Sequence, residues 1–257
     1  MTDARMLHDQ LAALGIDPRG TLLVHSSMKA IGEVDGGADT VLDVLSDYMK
    51  DGLLVLPTHT WRQMNEQYTV FDVANEPSCV GLLTNLFRVR PGVVRSFHPT
   101  HSVAALGADA EDYTAGEELT RTPCPRTGCW GKLCDRRATI LFIGCTLKNN
   151  TFMHGVEEWC GTPNRLADKP QAFTVIAPDG RRFAVPQFRH HTTPPPVDVS
   201  EHYDKMEPVF VKEHAVSYGT FGQARCIVAD AARMADITTP YLLHNPHLFD
   251  DDQPIRI

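Results

Sequence analysis

Apolar residues near the start of the chain repeat at helical spacing. Met6, Leu7, Leu11 and Leu14 mark a short amphipathic helix, and Gly15 follows as its C-terminal cap. The turn Asp17-Pro18-Arg19-Gly20 leads into an apolar strand, Thr21-Leu22-Leu23-Val24. After a polar, glycine-containing stretch from His25 to Gly37, the residues Val41, Leu42, Leu45, Tyr48 and Met49 mark a second helix. Gly52 then precedes another short apolar run, Leu53-Leu54-Val55-Leu56. Strand, loop, helix and strand with continuously apolar strands predict neighbouring parallel strands in a buried sheet. Thr139-Ile140-Leu141-Phe142-Ile143-Gly144 predicts a third buried strand. Phe173-Thr174-Val175-Ile176 and Arg182-Phe183-Ala184-Val185 flank Pro178-Asp179-Gly180, which reads as a β-hairpin on its turn chemistry. Thr192-Thr193-Pro194-Pro195-Pro196 is expected to be an extended surface connection, because such a proline run cannot sit inside a helix.

The proline run is not read as a domain boundary, since the roughly 60 residues beyond it are few for an independent core. The expected fold class is α/β: one domain over residues 1–257, with a central, mostly parallel sheet flanked by helices, a β-hairpin and a C-terminal helical region. No stretch has the length and apolarity of a signal peptide or membrane span, so a cytoplasmic location without membrane contact is expected. The net charge of -8 argues against nucleic-acid binding and suits a cationic small substrate. The 7 cysteines are odd in number and form no CxxC pair, so they read as free thiols; Cys124, Cys129 and Cys134 are spaced too widely for usual zinc-ligand patterns.

Histidine changes this picture. Several of the 12 follow predicted strands, where open α/β sheets bind ligands: His25 after Val24, His59 after Leu56-Pro57-Thr58, and His98 and His101 within Phe97-His98-Pro99-Thr100-His101-Ser102. The segment His25-Ser26-Ser27-Met28-Lys29-Ala30-Ile31-Gly32 supplies hydroxyls, amide donors and a cation suited to phosphate, although it has neither a dinucleotide fingerprint nor a P-loop. In Asn150-Thr151-Phe152-Met153-His154-Gly155-Val156-Glu157-Glu158-Trp159, either glutamate lies within helical reach of His154. A carboxylate on one ring nitrogen fixes the tautomer and raises the basicity of the other, as a general base requires. The chain has no GxSxG elbow and no HExxH, so a serine hydrolase or zincin lacks its motif.

Together these segments resemble the aminoglycoside 3-N-acetyltransferase family, which does not share the common GNAT fold. The likeness is carried by Leu22 to Gly32 with Asp35-Gly36-Gly37-Ala38, by Leu56-Pro57-Thr58-His59-Thr60, by His98 to Gly107, by Trp130-Gly131-Lys132-Leu133, and by Asn150-Thr151 leading to His154 and Glu157. It runs in order from about residue 5 to 160 and continues weakly through Gly222-Gln223-Ala224-Arg225. The resemblance implies a single α/β domain using acetyl-CoA, with His25, Ser26, Ser27, Met28, Lys29, Thr100, His101 and Ser102 lining the cofactor site. It also implies His154 as base and Glu157 as its partner in an H-x-x-E pattern. The sequence departs from the family at Gly155-Val156, where the drug-modifying members usually carry a hydrophobic or aromatic residue and then alanine, so the acceptor is left open between an aminoglycoside and a biosynthetic amine.

The expected chemistry is direct attack of the amine on the thioester in a ternary complex, with no resident metal. An acyl-enzyme on Cys145 or Cys160 is the covalent alternative, and the oxyanion stabiliser is open between a backbone N–H and the Thr151 hydroxyl. Two rival functions are a metal-dependent hydrolase using His59, His98 and His101 with acidic residues, and a non-catalytic acyl-CoA-binding relative. A homodimer is left open.

Overall fold

The computed structural model describes residues 2–191 and 198–255. The connection Thr192 to Pro196 lies outside the described residues. In chain order the elements are α1 (Ala4–Ala13), β1 (Thr21–Ser26), α2 (Met28–Ile31), α3 (Gly37–Tyr48), β2 (Leu53–Pro57), β3 (Val70–Asp72), α4 (Leu82–Phe87), β4 (Val94–Arg95), β5 (Val103–Gly107) and α5 (Ala110–Thr114). They continue with α6 (Cys129–Asp135), β6 (Thr139–Ile143), α7 (Thr151–Trp159), β7 (Gln171–Ile176), β8 (Arg182–Gln187), α8 (Glu207–Lys212), β9 (Val216–Phe221), β10 (Ala224–Asp230) and α9 (Ala231–His244).

The main sheet has the order β4-β5-β2-β1-β6-β10-β9. Its centre follows the apolar runs: β1 lies parallel to β2 on one side and to β6 on the other. The remaining pairings are antiparallel, so the sheet is mixed and its parallel part is confined to these three strands. Continuous burial of β2, and of β1 up to its last residue, explains why their sequences are apolar without alternation. The C-terminal region is helical in α8 and α9, as expected, and it also contributes the antiparallel pair β9 and β10. That hairpin turns through Gly222, whose φ of +60 a tight connection needs. The hairpin read around Pro178-Asp179-Gly180 is β7 with β8, and together with β3 it forms a separate small sheet.

Alternate residues of the central strands face two cores. Leu22, Leu54 and Leu141 pack with α1, α3 and α4 through Leu7, Leu11, Val41, Leu45 and Phe87. Leu23, Val55, Ile140 and Phe142 pack on the other face with Trp130, Leu133, Phe152, Val156 and Met234 of α6, α7 and α9. Burial of a side chain of this size stabilises by about 1.5–3 kcal/mol, so both faces anchor the strand ends firmly.

The topology brings distant segments to one edge. Because β1, β2 and β6 are parallel, the residues after Ser26, Pro57 and Ile143 all emerge on the same side. β5 runs opposite to β2 with Val103 facing Pro57, so His98 to Ser102, which enter β5, arrive at that edge too. Thr58 N donates to Ser102 O at 2.8 Å and Thr60 N to Thr100 O at 3.0 Å, extending the pairing into the loops.

Candidate active site

At this edge a cavity of about 770 Å³ opens, bordered by Ser26, Ser27, His59, Thr100, His101, Cys145, Lys148, Thr151, His154 and His190. Gly144, at φ +65, lets the chain leave β6 beside α2, since a Cβ there would come within 2.2 Å of Ala30 Cβ. Ser27 caps α2, its Oγ accepting from Ala30 N at 3.4 Å.

One wall of the cavity is α7. Phe152, Met153 and Val156 are buried in the core, which turns His154 toward the cavity and Glu157 inward, where it is 1% exposed. The imidazole and the glutamate do not meet directly: His154 Nδ1 is 3.7 Å from Glu157 Oε2. Tyr203 stands between them, its hydroxyl 2.7 Å from His154 Nδ1 and donating to Glu157 Oε2 at 2.5 Å. One hydroxyl has one proton, so when Tyr203 donates to the carboxylate it must accept from Nδ1–H. That leaves Nε2 unprotonated in the neutral ring, and it has no hydrogen-bond partner among the described residues. Glu157 is anchored by Arg165, whose Nε donates to Oε1 at 2.6 Å and which also reaches Asp250 at 2.7 Å. Burial works to raise the Glu157 pKa, but His154, Arg165 and Tyr203 together hold it below its ordinary value. It therefore stays ionised behind the imidazole.

A second wall comes from the turn His98 to Ser102, of which Thr100 and His101 line the cavity. His98 Nε2 donates to Thr122 O at 3.1 Å, while Nδ1 accepts from Thr100 N at 3.2 Å and His101 N at 2.9 Å. Burial pushes this ring down to about 4, so it stays neutral. Thr100 Oγ1 lies 2.9 Å from His101 Nδ1, and Trp130 donates to His101 O at 3.2 Å. Burial, then neighbouring imidazoles, push His59 and His101 well below their ordinary value, and burial alone takes His25 to about 3. His190 packs against His154 with ring centroids 4.5 Å apart and is 2.8 Å from Glu158 Oε1. Burial pushes Glu158 up to about 7.

Comparison with known proteins decides what this geometry belongs to. A family model described as aminoglycoside 3-N-acetyltransferase matches residues 23–243. The chain belongs to this family. The aminoglycoside 3-N-acetyltransferases are acyltransferases, and so is this family member. Aminoglycoside N(3)-acetyltransferase VII of Streptomyces paromomycinus is 29% identical over 71% of this chain and 68% of its own. The prophage-derived aminoglycoside N(3')-acetyltransferase-like protein YokD of Bacillus subtilis is 24% identical over 92% of this chain and 91% of its own. Among solved structures, AAC-IIIb in a binary complex with CoASH superposes with a TM-score of 0.81 at 23% identity, covering 94% of this chain and 96% of that one. AAC-VIa bound to sisomicin gives 0.78 at 22% identity, covering 93% of this chain and 97% of that one.

Within this aminoglycoside 3-N-acetyltransferase family member, Ser26, Ser27, Thr100, His101 and His154 meet at one cavity. His25 borders a smaller one of about 90 Å³ that adjoins it through Ser26 and His59. Three of the expected cofactor residues lie elsewhere. Met28 packs against the core, Lys29 is exposed on α2, and Ser102 is buried, donating to Thr58 O at 2.8 Å and holding the Arg95 guanidinium at 3.2 Å. Of the two glutamates within reach of His154, Glu157 faces Tyr203 and Arg165, whereas Glu158 faces His190 and accepts from Cys124 N at 3.0 Å. The sequence reading missed Tyr203, Arg165 and His190. No helical spacing signals them: Arg165 lies 8 and Tyr203 46 residues beyond Glu157, and His190 lies 32 beyond Glu158. Gly155 leaves room for the Trp159 ring, which a Cβ there would approach to 2.9 Å. No described helix is long and apolar enough to cross a membrane.

Proposed function

We propose that the protein transfers the acetyl group of acetyl-CoA to an amine of an aminoglycoside or related amino compound, by direct attack, with His154 as general base. The observation that carries this reading is the wiring of His154: Nδ1 is tied through Tyr203 to an ionised, arginine-anchored glutamate, and the ring borders the large cavity.

Acetyl-CoA supplies the acetyl group as an activated thioester. At neutral pH an amine acceptor is largely an ammonium ion, so it must lose a proton to become a nucleophile. His154 Nε2 takes that proton, and the charge it gains is met through the Tyr203 hydroxyl by Glu157. Glu157 does not need to accept the proton; with Arg165 and Asp250 behind it, it orients the ring and stabilises the imidazolium. Asp198 and Glu201 border the same cavity and suit a polycationic acceptor. Ser26, Ser27 and the backbone at the start of α2 are the donors available to the cofactor's phosphates, with Lys29 on the exposed side of that turn and Lys148 at the cavity border.

Direct attack is favoured over an acyl-enzyme. Cys145 borders the cavity, but burial pushes its thiol up to about 12, and Cys160 is also raised by burial. Neither is a thiolate at neutral pH, which a cysteine nucleophile must be. The histidines of the metal-hydrolase alternative do not gather as ligands: among the described residues His59, His98 and His101 form no group of three donor atoms with acidic side chains or cysteines.

The test is thiol release from acetyl-CoA with a panel of aminoglycosides and small biosynthetic amines, paired with calorimetric titration of coenzyme A. Turnover on an aminoglycoside is expected. Turnover of biosynthetic amines alone would transfer the proposal to that acceptor class, binding without turnover would leave a non-catalytic relative, and absence of any acyl-CoA binding would overturn it.

A further inference from the structure

Beside the proposed base lies a second set of side chains that the acetyl-transfer chemistry does not use. Cys124, Glu158 and His190 each offer one donor atom, a sulfur, a carboxylate oxygen and an imidazole nitrogen, and these atoms all lie within 4.8 Å of one another. They come from three separate segments: the loop before α6, the C-terminal half of α7, and the chain after β8. The fold itself therefore assembles the group, rather than the local spacing of one helix.

Their convergence is held from several directions. Cys124 N donates to Glu158 Oε1 at 3.0 Å, and Trp159 Nε1 donates to Cys124 O at 2.8 Å, so the loop is tied to α7 at both backbone atoms of Cys124. Gly155 leaves room for the Trp159 ring that makes the second of these bonds. The second oxygen of Glu158, Oε2, is buried and has no hydrogen-bond partner among the described residues. A buried carboxylate oxygen left unpaired costs its desolvation penalty in full unless a positive or donor group meets it. His190 borders the cavity, which gives an ion a way in.

We propose that Cys124, Glu158 and His190 form a binding site for a divalent zinc ion. Thiolate, imidazole and carboxylate together are a donor set that suits zinc, and three protein ligands leave a fourth position for a water from the cavity. Binding requires the thiolate, so the S–H bond breaks as the Zn–S bond forms and the proton leaves to solvent; no electrons are transferred, and affinity rises with pH. The proposal does not rest on the role given to His154, although His190 packs against that ring.

The experiment uses the full chain, stripped with a chelator and then equilibrated with zinc or cobalt alone. One equivalent of metal is expected, and with cobalt a thiolate-to-metal charge-transfer band together with the visible bands of a four-coordinate ion. Cys124→Ser should lose the charge-transfer band, and His190→Ala, at a half-buried position, should lose binding while keeping the native circular dichroism. If Cys124→Ser does not fold, the wild-type spectrum and His190→Ala still decide. No metal uptake at micromolar concentration, a cobalt spectrum without the sulfur band, or a band that survives His190→Ala would each overturn the proposal, whether or not the protein acetylates amines.

Discussion

The two walls of the cavity both carry histidines, yet they use them in opposite ways. In the turn entering β5, both ring nitrogens of His98 are taken by the backbone, one by Thr122 O and the other by the amides of Thr100 and His101. On α7, one nitrogen of His154 is bound by Tyr203, and the other has no partner among the described residues in a ring that borders the cavity. Residue type is shared by the two walls, one a turn entering β5 and the other the helix α7. What separates a histidine that holds a turn from one that can accept a proton is where its second nitrogen goes, and what stands behind the first.

The sharpest way to break this contrast is to remove His154. His154→Ala should lower kcat by roughly two to four powers of ten, the usual contribution of a positioned base, while coenzyme A binding measured by calorimetry stays nearly unchanged. Near-normal turnover in this variant, with turnover abolished by Glu158→Gln, would move the base to the carboxylates.

The turn entering β5 should answer in stability instead of rate. His98→Ala leaves two buried amides without an acceptor, and a loss of about 2–3 kcal/mol in denaturant unfolding is expected. The pH dependence has a definite sign. His98 goes from its ordinary 6.5 to about 4 in the fold, so below 6.5 the unfolded chain takes up a proton that the native state refuses. Its contribution to stability is full above 6.5 and is lost as pH falls toward 4, by up to roughly 3 kcal/mol. His98→Asn should make that acid slope shallower, though His25, lowered to about 3, and His59, His101 and His190, held well below their ordinary value by burial, keep part of it. An unchanged slope would show that the turn is not held by a neutral imidazole.

The contrast between the walls also marks what could be read from the sequence. The central strands were legible because burial on both faces demands unbroken apolar runs, and Leu22 to Val24, Leu53 to Leu56 and Ile140 to Ile143 supply them. β9 was not legible: from Val216 to Thr220 every residue is exposed or part-exposed, with Gly219 among them, and only Phe221 is buried. Its pairing with β10 makes the outer sheet antiparallel. His154 and Glu157 could be singled out because helical spacing makes them neighbours, but spacing alone could not choose between Glu157 and Glu158. That choice is made by Arg165 and Tyr203 on one side and His190 and Cys124 on the other, and these partners come from elements that only tertiary packing brings together. The widely spaced Cys124, Cys129 and Cys134 likewise have separate surroundings, with Cys129 Sγ donating to Tyr113 O at 3.4 Å.

Tyr203 offers a finer test of the α7 wall. Tyr203→Phe keeps the buried ring against Phe249 but removes the hydroxyl between Nδ1 and Glu157. A fall in kcat of about tenfold is expected, less than for loss of the imidazole, because Nε2 remains while its orientation and charge compensation weaken. Glu157→Gln should have an effect of similar size, and the two substitutions combined should cost less than the sum, since they interrupt one chain. Full additivity in the double-mutant cycle would mean that tyrosine and glutamate act on His154 separately.

The smallest effect belongs to the end of β1 and concerns charge rather than histidine. Lys29 is exposed on α2, outside the cavity border, whereas Ser26 and Ser27 just before it line the cavity. If the cofactor's phosphates leave the cavity past Ser27, Lys29 meets them at the surface as a hydrated point charge, worth about 1 kcal/mol or less. Lys29→Ala should therefore weaken coenzyme A binding by only a few-fold at low salt, and the difference should shrink as ionic strength rises and the Debye length falls to about 10 Å or below. kcat at saturating cofactor should not move, because this residue touches neither His154 nor its chain of partners. A large loss that persists at high salt would place Lys29 in a desolvated contact with the cofactor, and the cofactor site would then extend over α2 instead of ending at Ser27.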